Sequence, residues 1–313
     1  MPDWKILITD GVKETGKDIL NNRARVDDRS GIPPGDLLKI IADYDALIVR
    51  GRTRVDAELI NSARQLKVIG RAGVGVDNID IQSARQKGIK VVNTPTASSQ
   101  SVAELTIGLL FALARSIPFA SSQMKSGLWP KKQLTGIELF GRTIGIIGVG
   151  NIGSLVARMA DGLGMVVLGC DNCKPASQIK SSGADASSPE EVFSMSDFLT
   201  LHVPLTGETR GMIDRAAIAR MKTGVYIVNT SRGGIIDEAA LLEGLNSGHV
   251  AGAALDVFDQ EPPGESDLVT HPNVIATPHI GAQTRSASLR IAQDIAEEVL
   301  AALEGKPLRW EIV

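Results

Sequence analysis

The sequence predicts an α/β chain of two domains, each a doubly wound parallel sheet covered by helices on both faces. Three observations predict it. Short strand-like runs alternate with helical patterns in two separate series, one before residue 100 and one after residue 140, and such alternation belongs to parallel sheets. The apolar run Thr143–Ile147 leads into Gly148-Val149-Gly150-Asn151-Ile152-Gly153 and at once into an amphipathic helical pattern. That glycine pattern normally marks the first strand of its own domain, yet about 140 residues precede it here. The domain it opens is therefore expected as an insertion: residues 1–98 and 286–313 form one domain, residues 99–285 the other.

In the first series, strands are expected over residues 5–9, 46–49, 67–69 and 90–92, with helices over 36–42 and 56–63. A long helical pattern starts at Ser101 and runs through Leu105, Leu109, Ala112 and Leu113. After the strand at 143–147, Ile152, Leu155, Val156, Met159 and Leu163 share one helical face. A strand over 165–169 then ends near Asp171, and the serine-rich stretch 177–188 reads as polar surface. Ser188-Pro189-Glu190-Glu191 is a helix start: a capping serine, proline in the first turn, and acids at the positive dipole end. Strands over 198–203, 224–228, 252–255 and 273–276 follow, with helices over 216–221 and 237–246 between them. An amphipathic helix over 286–303 closes the chain.

Hydrophobic residues make up 43% of the 313, enough for two cores, and aromatics at 4% leave those cores mostly aliphatic. A formal net charge of −3 gives no basis for binding nucleic acid or an acidic membrane. It also leaves an anionic ligand dependent on a local cluster of cations. The N-terminus reads as a first strand, not a signal peptide. The longest apolar stretch, around residues 105–114, falls short of the roughly 18–20 residues of a bilayer span. A cytoplasmic protein is expected. Cys170 and Cys173 have no second Cys or His pair at zinc spacing, so two reduced loop thiols and no metal are expected.

The glycines point to a dinucleotide. Gly148 permits a tight turn, Gly150 lets the backbone approach a pyrophosphate, and Gly153 lets the helix pack close to the strand. The N–H groups and positive dipole end of that helix then face the anion. Asp171 stands about twenty residues further on, where such sites keep the acid that binds the adenosine ribose. Its charge would repel a 2′-phosphate, so NAD is expected over NADP, with Lys174 pulling the other way.

Ligands of doubly wound sheets bind beyond the carboxyl ends of the strands. Those ends carry Asp171, Pro204, Asn229 to Arg232, Asp256 and His279 in one domain. In the other they carry Asp10, Arg50, Arg71 to Gly75 and Asn93. The two sets are expected to face one cleft. Of the four histidines, His202 lies inside an apolar strand and reads as packing, while His249 and His271 read as solvated turn and loop residues. His279 ends a strand and is followed by small residues, which favours it as the proton carrier. Glu261 is placed either to fix its tautomer or to sit solvated in its loop. Arg232 precedes two glycines, which suggests crowding by a ligand or a turn, and as a cation near a helix start it would oppose the dipole.

The chain resembles the D-2-hydroxyacid dehydrogenase family along nearly its whole length. The resemblance rests on Arg71-Ala72-Gly73-Val74-Gly75-Val76-Asp77-Asn78-Ile79-Asp80, Asn93-Thr94-Pro95, Ser101-Val102-Ala103-Glu104-Leu105, the Gly148 fingerprint and Ser231-Arg232-Gly233-Gly234. It extends through Ala253-Ala254-Leu255-Asp256-Val257-Phe258, Glu261-Pro262-Pro263 and Pro278-His279-Ile280-Gly281-Ala282. Within the family, the phosphoglycerate-oxidising branch is the most similar. The resemblance implies a Rossmann-type NAD domain inserted into a flavodoxin-like substrate domain, with Arg232, Glu261 and His279 catalytic. Beside the glycines it implies NAD contacts from Val74, Asn151, Ile152, Asp171, Val203, Pro204, Thr230, Ser231, Asp256, Gly281 and Ala282. It implies substrate contacts from Arg50, Arg71, Gly73 and Val74 together with Arg232 and His279. It also implies a homodimer, in which Trp129 to Lys132 either reaches the partner's active site or stays solvated. The longer enzymes of that branch carry a C-terminal regulatory domain, and the end of this chain at Val313 puts such feedback control in doubt.

The reaction so implied is NAD-dependent oxidation of 3-phospho-D-glycerate to 3-phosphohydroxypyruvate, a step towards serine. His279 would take the hydroxyl proton as hydride leaves the same carbon, Glu261 would stabilise the imidazolium, and Arg232 would hold the carboxylate at two points. A phosphorylated hydroxy acid carries close to three negative charges, given a phosphate second pKa of about 6. Arg50, Arg52, Arg54, Arg71, Lys131 and Lys132 are available to meet them, although Arg52, Arg54 and the lysines read equally as solvated charges. Reduction of glyoxylate, hydroxypyruvate or another small 2-oxo acid stays open. So does an NAD-sensing protein resembling the corepressors of the superfamily, against which the presence of Arg232, Glu261 and His279 together argues.

Overall fold

The structure, a computed structural model, describes residues 4–313. Contacts divide the chain into two compact units, one running to Ser98 and resuming over Ala282–Val313, the other Ser99–Gly281. The second crossing thus falls just before Thr284, whose side chain caps the closing helix. The first unit opens with β1 (Lys5–Ile8), α1 (Glu14–Asn21), β2 (Arg25–Asp28), α2 (Pro34–Ile40) and β3 (Ala46–Val49). It continues with α3 (Ala57–Ser62), β4 (Val68–Arg71), α4 (Ile81–Gln86) and β5 (Lys90–Val92). The second holds α5 (Ser99–Ala114), α6 (Ile117–Lys125), β6 (Thr143–Ile147), α7 (Asn151–Gly162), β7 (Val166–Cys170), α8 (Ala176–Ser181) and β8 (Asp185–Ala186). It ends with α9 (Pro189–Met195), β9 (Phe198–Leu201), α10 (Arg215–Ala219), β10 (Val225–Asn229), α11 (Glu238–Asn246), β11 (Val250–Leu255), α12 (Asp267–Thr270) and β12 (Val274–Ala276). Helix α13 (Arg285–Leu303) returns to the first unit.

The first sheet has the order β2-β1-β3-β4-β5, parallel throughout. Alternation along β1 and β3 feeds two cores. Ile6, Ile8 and Ile48 pack with Leu20 of α1 and with Ile291, Ile295 and Val299 of α13. Leu7, Leu47 and Val49 pack with Leu37 of α2 and with Leu59 and Ile60 of α3. Burial on both faces explains why these strands read as unbroken apolar runs. One strand here was not expected from the pattern, and α1 and α4 add helices beyond the two that were named. Strand β2 is Arg-Val-Asp-Asp, a polar edge strand with no buried residue, so it lacks an apolar signature. Helix α1 turns Gly16 toward α13, where a Cβ would lie 2.5 Å from the Ala292 carbonyl oxygen.

The second sheet runs β12-β11-β10-β9-β6-β7-β8, again wholly parallel. Strand order reverses between β6 and β9, the switch point at which such sheets bind ligands. Helices α5 and α7 cover one face, over Ile144, Ile146, Phe198 and Val228. Helices α9, α10 and α11 cover the other, over Leu199, Leu201, Ile227 and Leu255. The apolar stretch at 105–114 is therefore a core helix, α5, with Leu109, Leu110 and Leu113 buried. Among the described residues no single helix is long and apolar enough to cross a membrane. Helix α9 starts as its sequence dictates, with Ser188 and Glu191 forming a reciprocal capping box. The serine-rich stretch is mostly exposed, as expected, and it also forms most of α8 and β8, the latter pairing with β7.

Candidate active site

In the second unit, the loop between β6 and α7 fits a dinucleotide on its own geometry. Gly148 has φ +89°, and a Cβ there would lie 2.5 Å from the His202 carbonyl oxygen. At Gly153 a Cβ would come within 2.0 Å of the Gly148 oxygen, so only glycine lets α7 approach β6. Gly150 differs: nothing lies within 4 Å of the Cβ it lacks. The chain itself does not demand glycine there, and the space stands open beside the N-terminal turn of α7, where Asn151 and Ile152 begin the helix. Asp171 is already oriented, accepting the N–H groups of Val149 and Cys173, each at 2.9 Å. Each oxygen keeps further acceptor capacity for ribose hydroxyls. Val203 and Pro204 follow β9 beside this loop, and a Cβ on Gly148 would also meet the Val203 side chain at 2.8 Å.

The ends of β10, β11 and β12 build a second cluster in the same unit. Asn229, 2% exposed at the end of β10, spans the next three residues. Its Oδ1 accepts the Ser231 N–H at 3.0 Å and the Ser231 hydroxyl at 2.7 Å, and its Nδ2 donates to the Arg232 carbonyl at 2.9 Å. Thr230 turns its hydroxyl inward, 2.9 Å from that of Thr106 on α5. The side chains of Thr230 and Ser231 are thus engaged inside the protein. Gly233 lies against the loop after β11, where a Cβ would fall 1.8 Å from the Phe258 carbonyl oxygen. Of the two readings of the glycines after Arg232, the structure fits the turn: Gly233 meets the protein's own backbone and Gly234 has φ +77°. The dipole argument fails, since α11 begins only at Glu238, capped by Asp237.

His279 sits in a left-handed backbone conformation, φ 52°, at a cost of about 1 kcal/mol for a non-glycine residue. Asp256, 1% exposed at the end of β11, holds that turn. Its carboxylate accepts the Thr277 hydroxyl at 2.6 Å and the N–H groups of Ile280 and Gly281, each at 2.8 Å. Its carbonyl accepts the His279 N–H at 3.0 Å. The His279 ring is thereby presented to Glu261, with Nδ1 2.7 Å from Oε2, and half of its side chain stays exposed. Burial works against ionisation of Glu261. The hydrogen bond and charge of His279, the Phe258 N–H and the Arg232 charge together hold its carboxyl below the usual range.

The other three histidines are engaged elsewhere in the fold. His202 bonds Thr200 through Nε2 at 3.1 Å, its Nδ1 is enclosed without a partner, and burial drives its pKa down to about 3. His249 sits in the helix-to-strand turn as its sequence context implied, but half-buried, with Nε2 2.9 Å from the Ile218 carbonyl. His271 accepts the Asn273 N–H. Among the described residues no cluster suited to a metal ion occurs.

In the first unit, Asp10 closes β1 and organises the loop after β3. It accepts the N–H groups of Arg50 and Thr53 and the Thr53 hydroxyl, and it pairs with Arg52 at 3.3 Å. Arg52 also donates to the Thr9 carbonyl, so it serves the loop itself. Arg71 folds over Gly73, where a Cβ would overlap its guanidinium, and Asn93 holds the Val74 carbonyl at 2.6 Å. A cavity of about 270 Å³ at these strand ends is lined by Asp10, Lys13, Arg50 and Ser288 among others. The bracing roles of Asp10, Asn229 and Asp256 were not read from the sequence. The available signal is a short polar residue ending an apolar strand run.

The family model for the D-isomer specific 2-hydroxyacid dehydrogenase NAD binding domain matches residues 107–281. The chain is 48% identical to the D-3-phosphoglycerate dehydrogenase of Methanocaldococcus jannaschii over 96% of its own length and 58% of that relative. It is 45% identical to the hydroxypyruvate reductase of Thermotoga maritima, over 97% of this chain and 99% of that one. The structure of a glyoxylate reductase from Paecilomyes thermophila superposes with a TM-score of 0.93 at 30% identity, covering 100% of this chain and 99% of the other. The chain spans a little over half the length of the phosphoglycerate dehydrogenases from M. jannaschii and Synechocystis that it matches.

Proposed function

Because the chain belongs to the D-isomer specific 2-hydroxyacid dehydrogenase family, we propose that it oxidises 3-phospho-D-glycerate to 3-phosphohydroxypyruvate with NAD, a step towards serine. The observation that carries the chemistry is the 2.7 Å contact between Glu261 and His279, with the Arg232 charge acting on the same carboxylate. Nδ1 of His279 is taken by Glu261, which leaves Nε2 to remove the hydroxyl proton and, in reverse, to return it to the oxo group. The glycine loop and Asp171 would hold NAD, which would supply the hydride acceptor when bound. Arg232 offers a planar fork for the substrate carboxylate, and Arg50, Arg71, Gly73 and Val74 are assigned as further substrate contacts. A cytoplasmic setting, in which the free Cys170 and Cys173 stay reduced, belongs to the same reading.

The phosphate reading rests on the cavity that Lys13 and Arg50 share with Ser288. The Asp10 carboxylate beside them is held by backbone N–H groups and Arg52, so the cations of Lys13 and Arg50 are left to meet an anion. Phosphohydroxypyruvate is expected to drive NADH consumption faster than hydroxypyruvate or glyoxylate. Arg50→Ala is expected to lower kcat/KM for the phosphorylated acid about 100-fold, the scale of a lost charge-assisted contact, with glyoxylate changed less than about twofold. Faster turnover of hydroxypyruvate, indifferent to Arg50, would replace this reading by the second one. The end-to-end match to a hydroxypyruvate reductase favours that second one.

A homodimer is inferred from α6 and the segment after it. Helix α6 has no buried residue, yet it carries Ile117, Phe119 and Met124, and Leu128, Trp129 and Phe140 follow, the last two more than three-quarters exposed. So many large exposed apolar side chains in one stretch of chain point to an interface, and a second copy is the commonest partner. Phe119→Asp combined with Trp129→Asp is expected to halve the mass measured by sedimentation equilibrium. A monomeric parent protein would refute the dimer.

A further inference from the structure

Strand β5 has β4 on one side, and on the other the segment 310–313 runs antiparallel to it. The Ile312 N–H donates to the Val91 carbonyl at 2.8 Å, the Val91 N–H to the Val313 oxygen at 2.7 Å, and the Asn93 N–H to the Trp310 carbonyl at 3.3 Å. Glu298 of α13 fastens this segment. It is 2% exposed, and its carboxylate accepts the Arg309 and Trp310 N–H groups at 3.0 and 3.2 Å and the Arg309 Nε at 2.7 Å. The Arg309 guanidinium lies over the Trp310 ring, 4.4 Å from its centre. Covering a sheet edge needs backbone alone, and a buried carboxylate is costly. A charged latch instead fixes the register, so that Trp310 meets Asn93.

The end of β5 in turn holds the loop after β4. The Asn93 amide donates to the Val74 carbonyl at 2.6 Å, and the Thr94 N–H donates to the Gly73 carbonyl at 2.9 Å. Asn93 Oδ1 is buried without a partner, so this side chain serves Val74 alone. The loop has glycines at 73 and 75, and Gly73 stands at φ +145°. Such a loop has little shape of its own and takes it from what holds it. We propose that the C-terminal segment is a strap that sets the Gly73–Val74 loop for substrate, with Glu298 as its positioning residue. The line of contacts runs from Glu298 through Arg309 and Trp310 to Asn93, and from Asn93 to Val74. The inference rests on the assignment of Gly73 and Val74 as substrate contacts, and it makes substrate affinity depend on a carboxylate of α13.

The test joins amide hydrogen exchange over residues 70–79 to steady-state kinetics with NADH and the faster of phosphohydroxypyruvate and hydroxypyruvate. Glu298→Gln puts an amide donor among the N–H donors of Arg309 and Trp310 and so opens the latch. Exchange over residues 70–79 is expected to quicken about tenfold. KM is expected to rise about tenfold, the scale of one hydrogen bond lost, with kcat and the NADH dissociation constant changed less than about twofold. Ile312→Pro removes the bond to Val91 at an exposed position, and it is expected to act in the same direction should Glu298→Gln fail to fold. Asn93→Ala is expected to raise KM as much as Glu298→Gln does. The two together are expected to add no more than about a further twofold, because they act in series. Additive effects overturn the proposal, as does unchanged exchange over residues 70–79 while the tail itself exchanges faster. Equal losses in KM, kcat and NADH binding make Glu298 a general fold brace and overturn it too. A parent protein that reduces no 2-oxo acid overturns the substrate reading, and the exchange measurement still decides the strap.

Discussion

His279→Ala is expected to lower kcat by about a thousandfold, within the range attributed to a positioned general acid–base. NADH binding, followed by fluorescence, is expected to stay within about twofold, because the imidazole holds no part of the glycine loop. The backbone at this position is anchored through Asp256, not through the ring, so the turn survives the truncation. Alanine retains the strain of φ 52°, and His279→Gln offers a control with a polar side chain of similar size. Glu261→Gln is expected to fall between the parent and His279→Ala, about 100-fold down, because the contact to Nδ1 persists without its charge. The charge on Glu261 that this comparison removes has its own pH dependence. The Glu261 carboxyl lies below its ordinary range in the folded protein. The Glu261 charge is therefore fully present at neutral pH and is lost only as pH falls through that depressed value. An alanine variant that no longer bound NADH would give His279 a structural role and end the assignment.

What the sequence made legible was whatever steric demand confines to one residue type. Gly148 and Gly153 are readable as a motif because a positive φ in one case, and a 2.0 Å approach of backbone in the other, exclude every side chain. Buried parallel strands such as β3 and β9 are readable because both faces must be apolar. The polar edge strand β2 is not, since its ladder to β1 is made by backbone that any sequence supplies. Helix α6 is similarly silent: with no buried residue, it has no stripe facing a core of its own unit. The bracing acids are illegible for another reason. Asp256 meets Ile280 and Gly281 across 24 and 25 residues of chain, and nothing local in the sequence marks those N–H groups as its partners. Arg232 was singled out on glycines crowded by a ligand or a turn, of which the structure shows the turn, and on an opposed helix dipole, which it removes. It stands as a candidate on family resemblance and on its charge beside Glu261.

Arg232→Ala is expected to lower kcat/KM by about a thousandfold, in the range for truncating one partner of a desolvated charge pair. Arg232→Lys is expected to recover no more than about a tenth of the parent value, because an ammonium cannot offer the two parallel N–H bonds of a guanidinium to a carboxylate. The comparison is informative here because the backbone is fixed from both sides. Asn229 holds the Arg232 carbonyl, and Gly233 is pressed against the Phe258 carbonyl oxygen. A lysine at this position therefore starts from the same Cα, and the shortfall measures the shape of the donor group, not a displaced loop. NADH binding is expected to be unchanged in both variants. If Arg232→Lys matched the parent, the residue would act only as a diffuse positive charge. If Arg232→Ala weakened NADH as much as it weakened the 2-oxo acid, the side chain would belong to the coenzyme and the carboxylate would have to be anchored elsewhere.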